Sequence, residues 1–358
     1  MGGSAALLML TLAVMAVLPL PWMIRAPGPT LDTLGMVDGE HVITVSGADT
    51  YPTGEGQLRL TTVSVSGGPG RSISLFDAIS AWLRKDAAVL PRELLYPEDQ
   101  DPEQLSEYQV QQMSASQEFA TAAALSELGY QLDMTLTVAE LMPELPAAEV
   151  LEVGDVVTAI TPAGGGTTEL RDFGQLIGVL AELPAGTDVT LRVLRDDVPT
   201  DVTFATSPRP EGDPGEGSLL GVWMNTEVDQ FPVDIAFDID QIGGPSAGMM
   251  FAIAIVDRLT PGELTGGADI AGSGTMSIDG RVGPIGGIQQ KLYGASRDGA
   301  TWFLVPQGNC AETIGQVPDG MGIAAVETLE GAVEAVEAIA AGETGGITSC
   351  EAFVASQG

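Results

Sequence analysis

Met249 to Leu259 is apolar almost all round, and this constrains the fold more than any other stretch of the chain. A helix without a polar face has to be buried on every side. Pro261-Gly262 stops it. Before it stands an alternating run, Phe231 to Ile239, which reads as a strand. Strand and helix are joined by Gly243-Gly244-Pro245-Ser246-Ala247-Gly248. Ser246 is therefore expected on a glycine-lined turn at the N-terminus of a buried helix. Gly244 and Ala247 belong to that turn, where small residues let a substrate carbonyl approach the backbone. The first N–H groups of the helix have no partner inside it and could hold an oxyanion. A serine at this position could equally be an ordinary N-cap.

A nucleophilic serine needs a base. The chain has one histidine, His41, and two lysines, Lys85 and Lys291. Lys291 lies in Gly286-Gly287-Ile288-Gln289-Gln290-Lys291-Leu292-Tyr293-Gly294-Ala295, which reads as a short helix opened by glycines. At about 100° per residue, Ile288, Leu292 and Ala295 share one face and Lys291 stands at its edge. Desolvation there favours the neutral amine. A neutral lysine can take a proton from serine without any histidine.

These two segments resemble the proteolytic domain of the Lon family, which uses a Ser-Lys dyad. The G-P-S-A-G turn matches around Ser246. The run Asp279-Gly280-Arg281-Val282-Gly283-Pro284-Ile285-Gly286-Gly287, followed by Lys291, matches the lysine segment. By the same match, Ser273 falls where the family usually has a threonine that hydrogen-bonds the lysine, and the hydroxyl survives the change. Gly243 falls where some members carry an acidic residue.

The charge is extreme, with 14 basic against 49 acidic side chains and a net of −35. A phosphate backbone would be repelled, which excludes nucleic acid as a partner. The acidic side chains form no D-x-D-x-D-G loop with a closing glutamate, so a calcium site is not indicated. Neither lysine stands in a G-x-x-x-x-G-K-[ST] phosphate loop, so the sequence carries no ATP-driven unfolding motor. One histidine and two distant cysteines make no zinc-ligand pattern. No cofactor and no metal are expected.

Ala5 to Ile24 is about 20 apolar residues, enough to span a bilayer as a helix. No Lys or Arg precedes it and Arg25 follows it, so charge does not set its orientation. Val14-Met15-Ala16 is a tolerable cleavage site, but the apolar run continues past it, which favours an uncleaved anchor over residues 1–25. Residues 26–75 carry strands, His41 to Val45 and Gln57 to Ser66, that resemble the opening of the Lon proteolytic domain. His41 is then an ordinary strand residue. A helical connector follows over 76–129. Its first helix spans Leu75 to Leu83, and a longer one opens at Asp101-Pro102 and ends at Gly129, as a polar strut between domains.

Residues 130–207 resemble a PDZ domain. The resemblance rests on Leu145-Pro146-Ala147-Ala148, then Leu151 to Ile160 with its G-D-V-V turn, a helix over Leu170 to Leu183, and a strand over Val189 to Leu194. It implies a peptide groove between the strand around Leu136 to Leu141 and the helix carrying Phe173, Leu176 and Leu180, with Leu128-Gly129-Tyr130 as candidate carboxylate-binding loop. Residues 208–218 read as a linker rich in Pro, Gly and acid, and 219–358 as the resumed proteolytic domain. There Asp269 to Ile278 reads as one strand and Ala332 to Ala341 as a closing helix. Cys310 and Cys350, the only cysteines, are expected to pair in an exported chain.

The fold class is thus α/β: a split Lon-type proteolytic domain with an inserted PDZ domain, after an N-terminal transmembrane helix. Anchor, PDZ module and dyad together resemble bacterial membrane-anchored Lon-like proteases. The resemblance implies an ATP-independent serine endopeptidase in the cell membrane, single-pass, with the bulk of the chain extracytoplasmic. Its partners would be protein or peptide substrates selected by the PDZ groove, and the cytoplasmic membrane. A homo-oligomer, a ring of six as in Lon relatives, is compatible with it. The rival expectation is a catalytically inactive PDZ adaptor that only binds peptides.

Overall fold

The computed structural model describes residues 20–357 except 38, 69, 97–100, 211–214 and 240–241. Its longer elements run β1 (Trp22–Asp32), β2 (Ile43–Ser46), β3 (Gln57–Ser66), α1 (Leu75–Trp82), β4 (Ala88–Pro91), α2 (Pro102–Glu127), β5 (Met134–Leu141), β6 (Val156–Pro162), α3 (Phe173–Ala181), β7 (Asp188–Arg195), β8 (Val198–Ala205), β9 (Val222–Val228), β10 (Asp234–Phe237), α4 (Gly248–Leu259), β11 (Asp269–Gly272), α5 (Ile288–Arg297), β12 (Trp302–Pro306), β13 (Gly322–Val326), α6 (Leu329–Ala341) and α7 (Cys350–Ser356). The chain forms two compact units. The first joins Met1–Glu127 to Val233–Gly358, and the second is Leu128–Pro232.

The first unit is built on a mixed sheet in the order β13-β12-β11-β3-β1-β4. The three pairs from β13 to β3 are parallel, and those of β1 with β3 and β4 are antiparallel. β3 is central, which explains why its sequence is apolar on both faces rather than alternating: Leu58, Leu60 and Thr61 are all buried. Helix α4 is buried from Gly248 to Asp257 and packs on β3 and on α2. Asp257 is held inside by a hydrogen bond from the Leu264 N–H, and burial raises its carboxyl to about 6.

Several expectations need correction. Residues 5–19 of the proposed anchor lie outside the described residues. Its last part does not continue a helix: Trp22, Met23 and Ile24 pair with Pro91, Leu90 and Val89, and Met23 is fully buried. Among the described residues no helix is long and apolar enough to cross a membrane. The connector is not a free strut. It contains β4, and α2 packs on α4 through a stripe of small residues that includes Ser116, Ala120, Thr121 and Ala124. Small side chains at this spacing give a helix little hydrophobic signal while letting two backbones approach. The strand expected over 269–278 breaks into β11 and a two-residue piece, Thr275–Met276, because Ser273 and Gly274 turn towards Ser246, to whose carbonyl both donate.

The second unit is an antiparallel sheet, β8-β7-β6-β5-β9, with α3. The resumed proteolytic domain was expected from residue 219, yet β9 pairs with β5 along its whole length, from Val222↔Leu141 to Val228↔Met134. The linker also belongs to this unit: Ser207–Pro208 pairs with Ser218–Leu219, and Ser207 and Ser218 are buried. The groove assigned to β5 is therefore filled by the chain itself. The end strand of the sheet is β9, and the stretch before it, Ser218–Leu219, packs against α3.

Cys310 and Cys350 are disulfide-bonded, with Cα atoms 4.8 Å apart and a sequence separation of 40. Both are fully buried in a cluster with Ile288, Leu292 and Ala295 of α5. The bond thus fastens α7 to the Cys310–Thr313 turn, which packs against the helix that carries Lys291. Closing a loop of this size is worth about 4 kcal/mol in the chain-entropy model. Replacing both cysteines by alanine should lower the urea midpoint accordingly. An unchanged midpoint would show that packing alone holds α7.

Candidate active site

Helix α4 begins at Gly248, with Ala247 as its N-cap and no side chain capping it. Ser246 stands one residue earlier, so its hydroxyl is not used as a cap. Gly244 makes the turn possible, at φ +87°, a region that side chains disfavour. Lys291 sits one turn into α5, whose N-cap Gly287 is also left-handed, at φ +75°. A side chain at Gly287 would press on Val63 and Arg25, each about 3 Å away. Both features let α5 approach the sheet closely enough to bury its lysine.

Lys291 is 2% exposed. Its Nζ lies 2.7 Å from Ser246 Oγ and 2.7 Å from Ser273 Oγ. Burial, assisted by the positive charge of Arg25, lowers its pKa to about 7. Ser273 is fully buried, and its hydroxyl donates to the Ser246 carbonyl at 2.8 Å. That direction matters. With its only hydrogen committed, Ser273 can only accept from the amine. The amine's lone pair is then left for the Ser246 hydroxyl.

The backbone around Ser246 is held from two sides. Gly274 N–H donates to the Ser246 carbonyl, and Met249 N–H to the Gly274 carbonyl. From α2, Ser116 Oγ donates to the Pro245 carbonyl at 3.0 Å, and the Gln109 carbonyl accepts from the Gly244 N–H at 3.2 Å. Gly244 is therefore not an oxyanion donor in this arrangement, because its N–H is already engaged. The Ala247 N–H has no acceptor among the described residues. Asn309, 1% exposed, accepts from Ile285 N–H and donates to the Ile285 carbonyl, which fixes the loop entering α5.

A cleft of about 420 Å³ opens over these groups, lined by Thr61, Thr62, Val63, Met113, Ser246 and Lys291 among others. His41 is exposed, in a two-residue strand paired with Met36–Val37, and is not part of it. Among the described residues no group of His, Cys, Asp and Glu could hold a metal ion. Sequence reasoning brought Ser246, Ser273 and Lys291 together. It missed Ser116, Gln109 and Asn309. The first two sit in a helix whose polar composition disguised its buried face. Asn309 precedes a buried cysteine, a weak signal that gave it no role.

Residues 240–338 match the Lon protease C-terminal proteolytic domain. The Lon protease of Campylobacter concisus is 30% identical over 183 residues, 49% of this chain and 22% of that protein. These matches support a serine peptidase. The Lon protease of Haemophilus influenzae is 36% identical over 91 residues, 24% of this chain and 11% of that one. The Lon protease of Frankia alni is 46% identical over 66 residues, 18% and 7%. The chain thus spans less than a quarter of the length of these Lon relatives. The PDZ domain of the SdrC-like protein from Listeria monocytogenes is 18% identical, with a TM-score of 0.23, covering 26% of this chain and 90% of that domain. A likeness that slight does not define the fold of the second unit.

The contacts from α2 yield a test within the Lon-type domain. Ser116→Ala removes one hydrogen bond, which costs about 1 kcal/mol of stability. Peptide hydrolysis should show a several-fold lower kcat with little change in KM, because the nucleophile turn loosens while the cleft remains. Equal kcat would mean that α2 supports the fold but not the turn.

Proposed function

We propose that Ser246 and Lys291 are the catalytic dyad of an ATP-independent serine endopeptidase acting at or outside the cytoplasmic membrane. The single observation that carries this is the buried amine 2.7 Å from both the Ser246 and the Ser273 hydroxyl oxygens. Ser246 Oγ attacks the scissile carbonyl as its proton passes to Lys291 Nζ. The oxyanion meets the Ala247 N–H. Lys291 returns the proton to the leaving amine, and water then resolves the acyl-enzyme. Ser273 orients the amine throughout.

β11 pairs with β3 only from Gln57 to Leu60, so the edge of β3 beyond Leu60 borders the cleft. An extended substrate can add there as a strand, which favours unfolded segments over folded domains. The sequence has no phosphate loop, and the reaction as drawn uses no nucleotide. The extracytoplasmic location is supported by the disulfide and by the apolar run that leads into the fold, Ala5 to Pro19. The second unit is a PDZ-like peptide-binding module. Its end strand β9 is the edge left for a peptide in place of the groove expected at β5.

Ser246→Ala and Lys291→Ala should each abolish peptide cleavage, with the double variant little worse than either, as for residues acting as one unit. Lys291→Arg should also be inactive, since arginine stays protonated. His41→Ala should keep activity. Below about pH 7 the amine holds its proton and cannot act as base. Activity should therefore rise from acid through about pH 7 and level off above it, without ATP and in the presence of EDTA. An active Lys291→Ala together with an inactive His41→Ala would require a histidine base. Cleavage retained in Ser246→Ala, Lys291→Ala and His41→Ala alike would place the chemistry on other residues, and an unmodified chain that cleaves nothing would leave peptide binding without catalysis.

Removing residues 130–207 would leave β9 unpaired, so the deletion that tests the module is the whole second unit, Leu128–Pro232. Short-peptide hydrolysis should survive it while turnover of membrane-tethered proteins falls. Loss of both in a well-folded deletion would assign this unit an activating role.

A further inference from the structure

Helix α1 carries an apolar stripe on the wrong side for its own fold. Ala81 is its buried residue, at 4% exposure. Phe76, Ile79, Trp82 and Leu83 are exposed, three of them to more than 70%. At about 100° per residue these four span an arc centred roughly opposite Ala81. Trp22, 40% exposed, and Leu94, 66% exposed, lie in the neighbouring strand and turn. So large an exposed apolar area marks a contact surface.

Where the chain enters decides what covers it. The described residues begin at Leu20, which pairs with Ile73 immediately before α1. The stretch leading into it, Ala5 to Pro19, is apolar. The patch therefore stands where that run meets the fold. Charge points the same way. Residues 71–93 hold four basic side chains, Arg71, Arg84, Lys85 and Arg92, against three acidic ones, in a chain with 14 against 49. A short helix with aromatic residues on one side and cations at its flanks suits the interface of an anionic bilayer.

We propose that α1 lies in the headgroup region of a bilayer containing anionic lipid, with Phe76, Ile79, Trp82 and Leu83 in its outer acyl layer. The inference rests on the membrane location proposed above. It fixes which side of the proteolytic unit faces the lipid.

The test uses the full chain, reconstituted in vesicles of phosphatidylethanolamine and phosphatidylglycerol brominated in the upper acyl chain. The chain should float with the vesicles. Its tryptophan emission should be quenched, and the quenched fraction should fall in Trp82→Phe and persist in Trp22→Phe. If the chain floats but Trp82 is quenched by aqueous iodide instead, the membrane location stands and this inference falls. If neither quencher reaches Trp82, and the combined Phe76→Ser, Ile79→Ser, Trp82→Ser and Leu83→Ser variant dissociates an oligomer, the occupant is a second copy and the inference again falls. A chain that does not float overturns both.

Discussion

Everything at the site depends on keeping one amine uncharged. An isolated ammonium in an apolar interior is expensive, so burial drives Lys291 towards the neutral form. That has a price for the fold. Between about pH 7 and the ordinary lysine value of 10.5, the unfolded chain binds a proton that the folded chain does not. This group therefore adds stability as pH rises through that window and penalises folding below it. The sheet, α4 and the disulfide-fastened α7 supply the packing against which that penalty is borne.

The surrounding elements are shaped by the same requirement. Burying the amine needs α5 close to the sheet, which Gly287 permits beside Val63 and Arg25. Directing its lone pair needs an acceptor whose own hydrogen is engaged elsewhere, which Ser273 provides. Placing Ser273 breaks the strand after Gly272, and Gly274 follows because a side chain there would strike Val282. The irregular backbone between Gly272 and Thr275 is thus a consequence of the site.

What was legible in the sequence follows from this. The turn around Ser246, the helix after it and the lysine helix were readable because each obeys a local rule: glycine for a turn, apolar periodicity for burial. Gln57 to Ser66 was readable as a strand, though not as a central one, since two-sided burial erases alternation. The fault lay where the decisive contacts are long-range. Val222 to Val228 alternates as any half-buried strand does, and only its pairing with Met134 to Leu141 assigns it to the second unit. The buried face of α2 is mostly alanine, serine and threonine, with Met113 and Leu125 at its ends, and small residues of this kind score as neutral although they are packed. The run over residues 5–24 was read as continuous because hydropathy cannot see the point where a helix-length apolar segment gives way to a sheet. That point is passed by Trp22, whose backbone pairs with Pro91 of the edge strand β4.

The polar helix and the glycine before the nucleophile explain each other. A Cβ on Gly243 would meet the Gln109 side chain at 3.1 Å, so α2 lies against the turn where a larger residue would hold it off. Its approach lets the Gln109 carbonyl reach Gly244 and the Ser116 hydroxyl reach Pro245. A carboxylate at position 243 would meet that helix and would also bring negative charge to the cleft, which favours the protonated form of a nearby lysine. In a chain with 49 acidic side chains, the charge that acts on Lys291 is instead that of Arg25, which opposes protonation. Glycine at 243 thus serves two ends: it admits the helix that steadies the serine, and it adds no anion of its own beside the lysine.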